Sequence, residues 1–425
     1  MPNAVELTRL RGFQDLLGPQ VRAISFIEER ARALMERYAV KEIRIPTLER
    51  IELFMRSTGA TSDIVEKQMY LVEQRGEGQD ESRTVLRPEG TPGVVRAYIE
   101  AGLDRSDPEQ RFFYCGPMLR YERPQKGRYR EFYQFGVEVF GRADAACDAE
   151  LLIMIDDLRR ELGLKLKMEL NSLGCAECRP AFRQAVLDYG RAHLAELCED
   201  CHSRLERNPL RLLDCKIDVR IAEAAPEAMG YLCEACRKHF DTVRELLGRS
   251  GVEFIVNPRI VRGLDYYMRT TFEVSSTALG AQNAVLAGGR YDGLIAELGG
   301  APVPGIGFAI GLDRMALALI ESGKELRSAP TAAIIALGEA AVSRALELAG
   351  RLRERNLGVE VLSPERGLKA LLRRADRIGA RYAVIIGENE LARGIAQVRD
   401  LAQSIQREVP LEDLASTLES GRDRT

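Results

Sequence analysis

The segment LRYERPQKGRYREFYQFGVEVFG, Leu119–Gly141, carries Arg120, Arg123, Lys126, Arg128 and Arg130 in its first half and mostly apolar or aromatic residues in its second. Alternate side chains of a strand share one face. In GRYREFYQFGVE the even positions are Arg128, Arg130, Phe132, Gln134, Gly136 and Glu138; the odd ones (Tyr129, Glu131, Tyr133, Phe135, Val137, Val139) grow steadily more apolar. The odd set should therefore pack on a core. The even set puts guanidinium groups, a ring, a carboxamide and a carboxylate in one row, and Arg120 and Glu122 share a parity just upstream, across the PQKG turn signal. Arginine forks match phosphate oxygens, and Phe132 offers a stacking plane. Such a row suits an extended ligand with an anionic end, a flat ring and a cationic or hydrogen-bonding end. Standing alone, the hairpin would read as a salt-bridged surface.

Similar residues recur, which changes the balance. LRPEGTPG (Leu86–Gly93) offers Glu89 and Thr91 after a proline-fixed turn, and VRGLDYY (Val261–Tyr267) sets Arg262 near Tyr266 and Tyr267. AGGRYDGL (Ala287–Leu294) has glycines of the kind found where backbone comes close to something. GIGFAIGLDR (Gly305–Arg314) is a glycine-rich strand entering a helix, with Arg314 in the first turn. A helix start favours anions through its free N–H groups and dipole, so Arg314 reads as a second phosphate clamp. No Gly-x-x-x-x-Gly-Lys loop or Gly-x-Gly-x-x-Gly fingerprint after a strand competes for a nucleotide.

The elements that must position these residues follow from periodicity. Gln20–Val40 reads as an amphipathic helix. KEIRIPTLE alternates like a strand with Pro46 inside it, which predicts a sheet edge or bulge. TVLRPEG, FFYCGPMLRYER and REFYQFGVEVFG read as strands, VVRAYIEAG and Asp148–Gly163 as helices, and about Gly174–Ser250 as mostly helical. Strand signals return at EFIVNPRIV, TTFEVSS, AGGRYDGLI and GIGFAIG, before the helical LDRMALALIES. After Gly323, strands and helices alternate as in a small α/β domain with largely parallel strands, and the boundary is expected near Ser328–Pro330. The final GRDRT reads as a frayed tail.

The totals bound the class. A chain of 425 residues is too long for one ordinary core, so two or three domains are expected. Its 45% apolar and 29% charged residues suit a soluble globular protein, and a net charge of -3 argues neither for nor against nucleic acid. MPNAVELTRL has no basic start followed by an apolar run, and GIGFAIGLDRMALALI is interrupted by Asp313 and Arg314. No membrane association and a cytoplasmic location are expected.

Seven of the nine cysteines lie between Cys175 and Cys236, near all three histidines, His193, His202 and His239. A reducing compartment argues against disulfides there. CAEC, CEDC and CEAC are three Cys-x-x-Cys pairs, with Cys215 besides. Two pairs would make a tetrahedral zinc site. Cys175, Cys178, Cys233 and Cys236 are the favoured set because they flank the segment and a metal would pin its ends together. Reduced, buried thiols are the alternative.

The ordered motifs RGFQDLLGP, RIPTLE, LRPEGT, LRYERPQKGRYREFYQFGVEVFG, VRGLDYY, GGRYDGL and GIGFAIGLDR resemble those of class II aminoacyl-tRNA synthetases, and VRGLDYY with GGRYDGL is similar to the histidyl-tRNA synthetases among them. The resemblance runs nearly end to end. It implies an α+β fold: a catalytic domain over 1–325 with an antiparallel sheet and a Cys-rich helical insertion at about 174–250, then an α/β anticodon-binding domain over 330–425. It implies activation of L-histidine with ATP and Mg²⁺, transfer to histidine tRNA, and a homodimer with RIPTLE at its interface.

By the same resemblance Arg120 would hold the α-phosphate, and Arg128 and Arg314 the β and γ groups. Glu122 would contact adenine and Phe132 stack on it. The histidine-binding set would be Glu89, Gly90, Thr91, Gln134, Glu138, Arg262, Tyr266, Tyr267 and Tyr291. Within it, Glu89, Thr91 and Gln134 would take the α-amino group, and Glu138 and Tyr267 the imidazole. Arg262, Arg120 and Arg314 would be the catalytic cations, with RGLD a loop leading into a strand. The QKGR turn and PERGLKALLRRADRIGAR, with six cations against two acids, are candidates for RNA contact. A solvated helix face is the alternative for the latter. Within the same family group, a histidine-sensing regulatory subunit of ATP phosphoribosyltransferase is the rival. Arg120, Arg262, Arg314 and the C-terminal domain all argue against it.

Overall fold

The alternation within Glu131–Phe140 places this strand near the centre of an eight-stranded sheet. Its order is Lys41–Glu42, Gln110–Leu119, Glu131–Phe140, Gly305–Gly311, Ala284–Arg290, Met268–Ser276, Leu166–Ser172, Ile255–Val256. The six inner strands pair antiparallel, and the two-residue edge strands pair parallel. The computed structural model describes residues 7–58, 64–73, 83–215, 217–261, 266–280, 283–324, 326, 330–362 and 365–422. The chain divides into two units, Met1–Leu326 and Arg327–Thr425.

The back of the sheet carries the main core. Phe135, Val137 and Val139, the odd set, are buried there, and Phe135 stacks on Phe113 with centroids 5.2 Å apart. Helix Pro19–Arg37 brings Ile24, Ile27, Ala31 and Leu34, one side of a 3.6-residue period, into the same core. Helices Ala145–Leu162, Glu234–Arg249 and Leu312–Glu321 complete it. Arg290 is fully buried on this side. It pairs with Asp148 of the first of these helices, whose other oxygen lies 2.8 Å from His239 Nε2 on the second. Burial alone would raise the Asp148 carboxyl, but bonds from His239 and Arg290 hold it below the usual carboxylate range.

The front of the sheet carries a second core. Val94, Val95 and Tyr98 of helix Thr91–Glu100 contribute to it, as do the leucines of the segment after Ala192. That segment is a run of short helices, none longer than six residues, between Arg179–Ala192 and Glu234–Arg249.

Several sequence expectations need correction. KEIRIPTLE is not one strand. Lys41–Glu42 edges the large sheet, while Leu48–Arg50 joins a three-stranded sheet with Tyr70–Val72 and Thr84–Leu86. Pro46 falls in the gap, where buried Arg87 donates to the Ile45, Pro46 and Pro117 carbonyls that no ladder satisfies. Of EFIVNPRIV only Ile255–Val256 is strand. In the second unit Val359–Leu362, Ala332–Ala336 and Tyr382–Ile386 are parallel, but Ile395–Asp400 and Ile405–Pro410 close the sheet as an antiparallel hairpin. Its last strand carries too little apolar alternation to have been read. Of the tail, Gly421 and Arg422 end helix Leu414–Arg422, and 423–425 lie outside the described residues.

The buried ion-pair hub makes a prediction. Asp148→Ala leaves the buried Arg290 guanidinium with Asp292 as its remaining ion-pair partner and should cost the first unit roughly 3–5 kcal/mol. Thermal and urea midpoints of parent and variant would measure it, and an unchanged midpoint would count against the hub.

Candidate active site

The front face is cleared of side chains where a ligand would lie. Register places Glu138 beside Gly307, Gly307 beside Gly289 and Gly289 beside Thr271; the next row runs Gly136, Ala309, Ala287, Glu273. A β-carbon on Gly307 would overlap the Glu138 carboxylate, and one on Gly136 would overlap the Tyr114 ring. Ala309, Ala287 and Glu273 of the second row line a cavity of about 450 Å³, within the range of small-molecule sites.

Cations gather at one end. Arg120, Arg128 and Arg314 line the cavity with Glu122 and Phe132. Arg120 donates from Nε to the Pro88 carbonyl (2.8 Å), and its guanidinium lies 5.3 Å from the Phe132 centroid. Arg314, in the first turn of Leu312–Glu321, donates to the carbonyls of Gly127 (2.8 Å) and Ala284 (3.1 Å). Arg128 is ion-paired with Glu122. Burial would raise the Glu122 carboxyl, but the Arg128 hydrogen bond and the surrounding arginine charges hold it below its ordinary value. Arg314 is pushed down, first by burial and then by Arg128 and Arg120.

Carboxyl groups and tyrosines gather at the other end. Glu138 is 1% exposed and accepts from Thr91 Oγ1 (2.7 Å) and the Tyr291 hydroxyl. Glu89 accepts from the Tyr266 hydroxyl at 3.3 Å. The rings of Tyr266, Tyr267 and Tyr291 lie within 6.4 Å of one another, centroid to centroid. Burial pushes Glu89 up to about 7 and Glu138 up to about 8, the latter helped by the charge on Glu89. Glu89 Oε1 and Gln134 Oε1 are buried acceptors with no hydrogen-bond partner among the described residues. Both residues line the cavity.

Arg120, Glu122, Arg128, Phe132, Arg314, Glu89, Thr91, Gln134, Tyr266 and Tyr267 therefore share one cavity. Gly90 precedes helix Thr91–Glu100 with the Tyr114 ring packed against its Cα, and Tyr291 and Glu138 lie buried beside Thr91. Arg262 lies outside the described residues. Strand parity does not explain all of this. The strands end at Leu119 and begin again at Glu131, so Arg120, Glu122, Arg128 and Arg130 are all in the connection. Arg130 is accordingly turned away from the row. Its guanidinium lies 3.9 Å from the Tyr121 centroid and donates to the Glu122 and Arg11 carbonyls. Sequence reasoning missed Tyr114, Gln68, Glu273, Arg211 and Asp214, which also line the cavity. Tyr114 had a signal, an aromatic beside a small residue in the paired strand, but it needs the register to be read.

The cysteine set Cys175, Cys178, Cys233 and Cys236 converges. Cys175 Sγ lies 3.8 Å from both Cys178 Sγ and Cys233 Sγ, and Cys178 Sγ lies 3.9 Å from Cys236 Sγ.

Residues 12–315 match the family model for histidyl-tRNA synthetase, and 331–420 match that for an anticodon binding domain. The chain belongs to the histidyl-tRNA synthetase family. It is 48% identical over 409 residues to a histidine--tRNA ligase of Geobacter sulfurreducens, covering 95% of this chain and 97% of that one. A histidine--tRNA ligase of Thermotoga maritima is 44% identical, covering 94% and 95%. The apo histidyl-tRNA synthetase of S. aureus superposes with a TM-score of 0.78 at 32% identity, covering 97% and 100%. A Bacillus halodurans structure described as an ATP phosphoribosyltransferase regulatory subunit/histidyl-tRNA synthetase shares the fold, with a TM-score of 0.66 at 21% identity over 90% of this chain and 99% of that one. Class II synthetases in general use ATP and Mg²⁺. Among the described residues no helix is long and apolar enough to cross a membrane.

The buried Glu138 carboxyl has a measurable consequence. Its folded pKa, about 8, lies above the ordinary value of 4.5, so folding favours its protonated form. That contribution is complete below about pH 4.5 and is lost as pH rises toward 8. Ligand-free protein should therefore lose a few kcal/mol over this range, and Glu138→Gln should flatten the slope, leaving the part due to Glu89. Thermal midpoints across pH 5 to 8.5 test this, and equal slopes in parent and variant would refute it.

Proposed function

We propose that this chain is a histidine--tRNA ligase, which joins L-histidine to ATP as histidyl-adenylate with release of pyrophosphate and then transfers histidine to the 3′ end of histidine tRNA. The observation that carries the reading is the bipolar cavity. Three guanidinium groups stand at one end; the buried Glu89 carboxyl, Tyr266 and Tyr267 line the other, and Glu138 and Tyr291 lie buried beside Thr91. The triphosphate takes the cationic end. Arg120 sits on the α-phosphate, Arg128 and Arg314 on the β and γ groups, Phe132 stacks on adenine and Glu122 contacts it. Glu122 is then exchanging its ion pair with Arg128 for the base.

Histidine takes the other end. Glu89, Thr91 and Gln134 receive the α-amino group, supported by the unpartnered oxygens of Glu89 and Gln134. Glu138 and Tyr267 hold the imidazole, which donates from one nitrogen and accepts at the other. Tyr266, Tyr291 and Gly90 shape the pocket, and Arg262 stands beside the reacting carboxylate. The substrate carboxylate is ionised at neutral pH and attacks the α-phosphorus in line, so no general base is required. The protein contributes position and fixed positive charge. Magnesium would draw charge from the phosphate oxygens, and the Glu273 carboxylate lining the cavity is an oxygen donor that would hold it.

Residues 1–325 form the catalytic domain in this reading, with the insertion at about 174–250, and 330–425 form the anticodon-binding domain. Lys369, Arg373, Arg374 and Arg377, exposed on helix Leu368–Arg377, and the QKGR turn meet RNA phosphates, which makes binding weaken steeply with salt. The chain works in the cytoplasm as a homodimer. Exposed Leu48, Met55 and Leu71, around the three-stranded sheet that contains part of RIPTLE, suit a covered surface. Zinc binds Cys175, Cys178, Cys233 and Cys236 as a structural ion. Tetrahedral bonds of about 2.3 Å put sulfurs about 3.8 Å apart, the spacing found there.

Exchange of pyrophosphate into ATP, screened across the amino acids, tests the reading. Histidine alone should support exchange, and Arg120→Ala should slow it by ~10²–10³. No exchange with any amino acid would favour the histidine-sensing regulator. Protein desalted without added metal should retain zinc, and Cys178→Ser/Cys236→Ser should lose one equivalent.

A further inference from the structure

The CEDC pair takes no part in the site above, yet it also finds partners. Cys198 Sγ lies 3.8 Å from Cys215 Sγ, and Cys215 Sγ lies 3.6 Å from Asp218 Oδ2. With Cys201 Sγ these four ligand atoms all fall within 4.8 Å of one another. Cys201 and Asp218 are 6% and 8% exposed. We propose that Cys198, Cys201, Cys215 and Asp218 form a second zinc site, with three thiolates and one carboxylate, separate from the four-cysteine cluster.

Three observations carry it. The first is spacing. Zinc bonds of about 2.3 Å to sulfur and 2.0 Å to oxygen at tetrahedral angles require S···S near ~3.8 Å and S···O near ~3.5 Å, close to the separations found. Two sulfurs at 3.8 Å are an ordinary van der Waals contact, too far apart for a disulfide. Four mutually adjacent donors from separate turns of the chain are what a metal needs. The second is the support of the donors. The Cys198 N–H donates to Oδ1 and Oδ2 of Asp218 at 3.1 and 3.0 Å, and the Asp218 N–H donates to Cys215 Sγ at 3.3 Å. Such bonds orient a carboxylate and stabilise a thiolate as metal ligands.

The third is location. Cys198 caps and Cys201 lies within helix Glu199–Arg204; Cys215 follows the 3₁₀ turn Pro209–Asp214; Asp218 precedes helix Val219–Ala224. None of these six-residue helices would persist alone. One ion would clamp all three. Cys215 directly follows Asp214, which with Arg211 borders the front cavity, the two being ion-paired at 3.3 Å. The metal thus fixes the part of the insertion that faces the cavity, while the four-cysteine cluster fixes its ends.

Elemental analysis of the full chain, expressed with zinc and desalted, tests the proposal. The count should be about two per chain, falling to about one in Cys198→Ser/Cys201→Ser and staying near two in Asp218→Cys, which keeps four donors. A count that the Cys198→Ser/Cys201→Ser change leaves untouched would overturn it. A single zinc that this change removes and Cys178→Ser/Cys236→Ser retains would uphold it while rejecting zinc at the other cluster. Should the double serine variant fail to fold, cobalt substitution of the parent decides. Thiolate-to-cobalt absorption corresponding to seven thiolates, or to three, supports the site. A signal for four, or none, overturns it.

Discussion

The structure depends on keeping three arginine side chains together at one end of a cavity, with Glu122 ion-paired to Arg128 and Glu273 acting on Arg314. Arg120, Arg128 and Arg314 repel one another, and the depressed proton affinity of Arg314 reports both that repulsion and its burial. Such a cluster stays in place only if each guanidinium is anchored, and Arg120 and Arg314 are anchored by groups with no net charge. The carbonyls of Pro88, Gly127 and Ala284 do this. Pro88 precedes helix Thr91–Glu100, Gly127 lies in the hairpin connection and Ala284 opens strand Ala284–Arg290, so the geometry of the cationic end draws on three separate parts of the first unit. Glu122 supplies a counter-charge and, through its pair with Arg128, ties two parts of the hairpin connection together. A polyanion entering such a site meets charges already aimed, with little reorganisation left to do.

The opposite end obeys the complementary constraint. Glu89 and Glu138 are buried among tyrosines, where the charged carboxylate is costly. Each is anchored by neutral hydroxyls, of Tyr266 for Glu89 and of Thr91 and Tyr291 for Glu138. A cationic amino group is therefore attracted most strongly where the protein is least able to support negative charge alone. Between the two ends Ala287 and Ala309 line the cavity, and Arg290, Asp148 and His239 tie the strand Ala284–Arg290 to two helices behind it.

Much of this was legible in the sequence. Within Glu131–Phe140 parity assigned every side chain to the correct face, because a paired strand enforces a period of two. The same rule misassigned Arg130, which lies one residue before the strand begins, where φ and ψ no longer alternate faces. Arg120, Glu122 and Arg128 reach the cavity through a turn, so only their residue types and proximity, not their parity, carried information. Pro46 predicts an edge or a bulge within one strand, whereas the chain leaves one sheet before it and joins another after it, with Arg87 satisfying the Ile45 and Pro46 carbonyls. Tyr114, Glu273, Arg211 and Asp214 were illegible for another reason. Each reaches the site through strand register or through folding of the insertion, and neither is encoded in a local window. The hub formed by Arg290 was equally hidden inside GGRYDGL, where the glycines and tyrosine drew the attention.

The insertion explains how one segment serves two sides of the sheet. Helix Glu234–Arg249 enters the rear core through Phe240, Val243 and Leu247, at helical period, and through the bond of His239 to Asp148. The short helices before it attach to the front, where Leu210, Leu212 and Leu213 share a core with Tyr266, Tyr267 and Tyr291. The leucines thus pack in the same core as the tyrosines at the carboxyl end of the cavity. A wall made of helices this short gains little from helix propensity and must be held by what its ends touch. The cysteines stand at those ends, Cys178 and Cys233 capping the long flanking helices and Cys198 and Cys215 bounding the short ones. Their placement is that of clamps on a thin wall, in a stretch whose described helices between Ala192 and Glu234 are no longer than six residues.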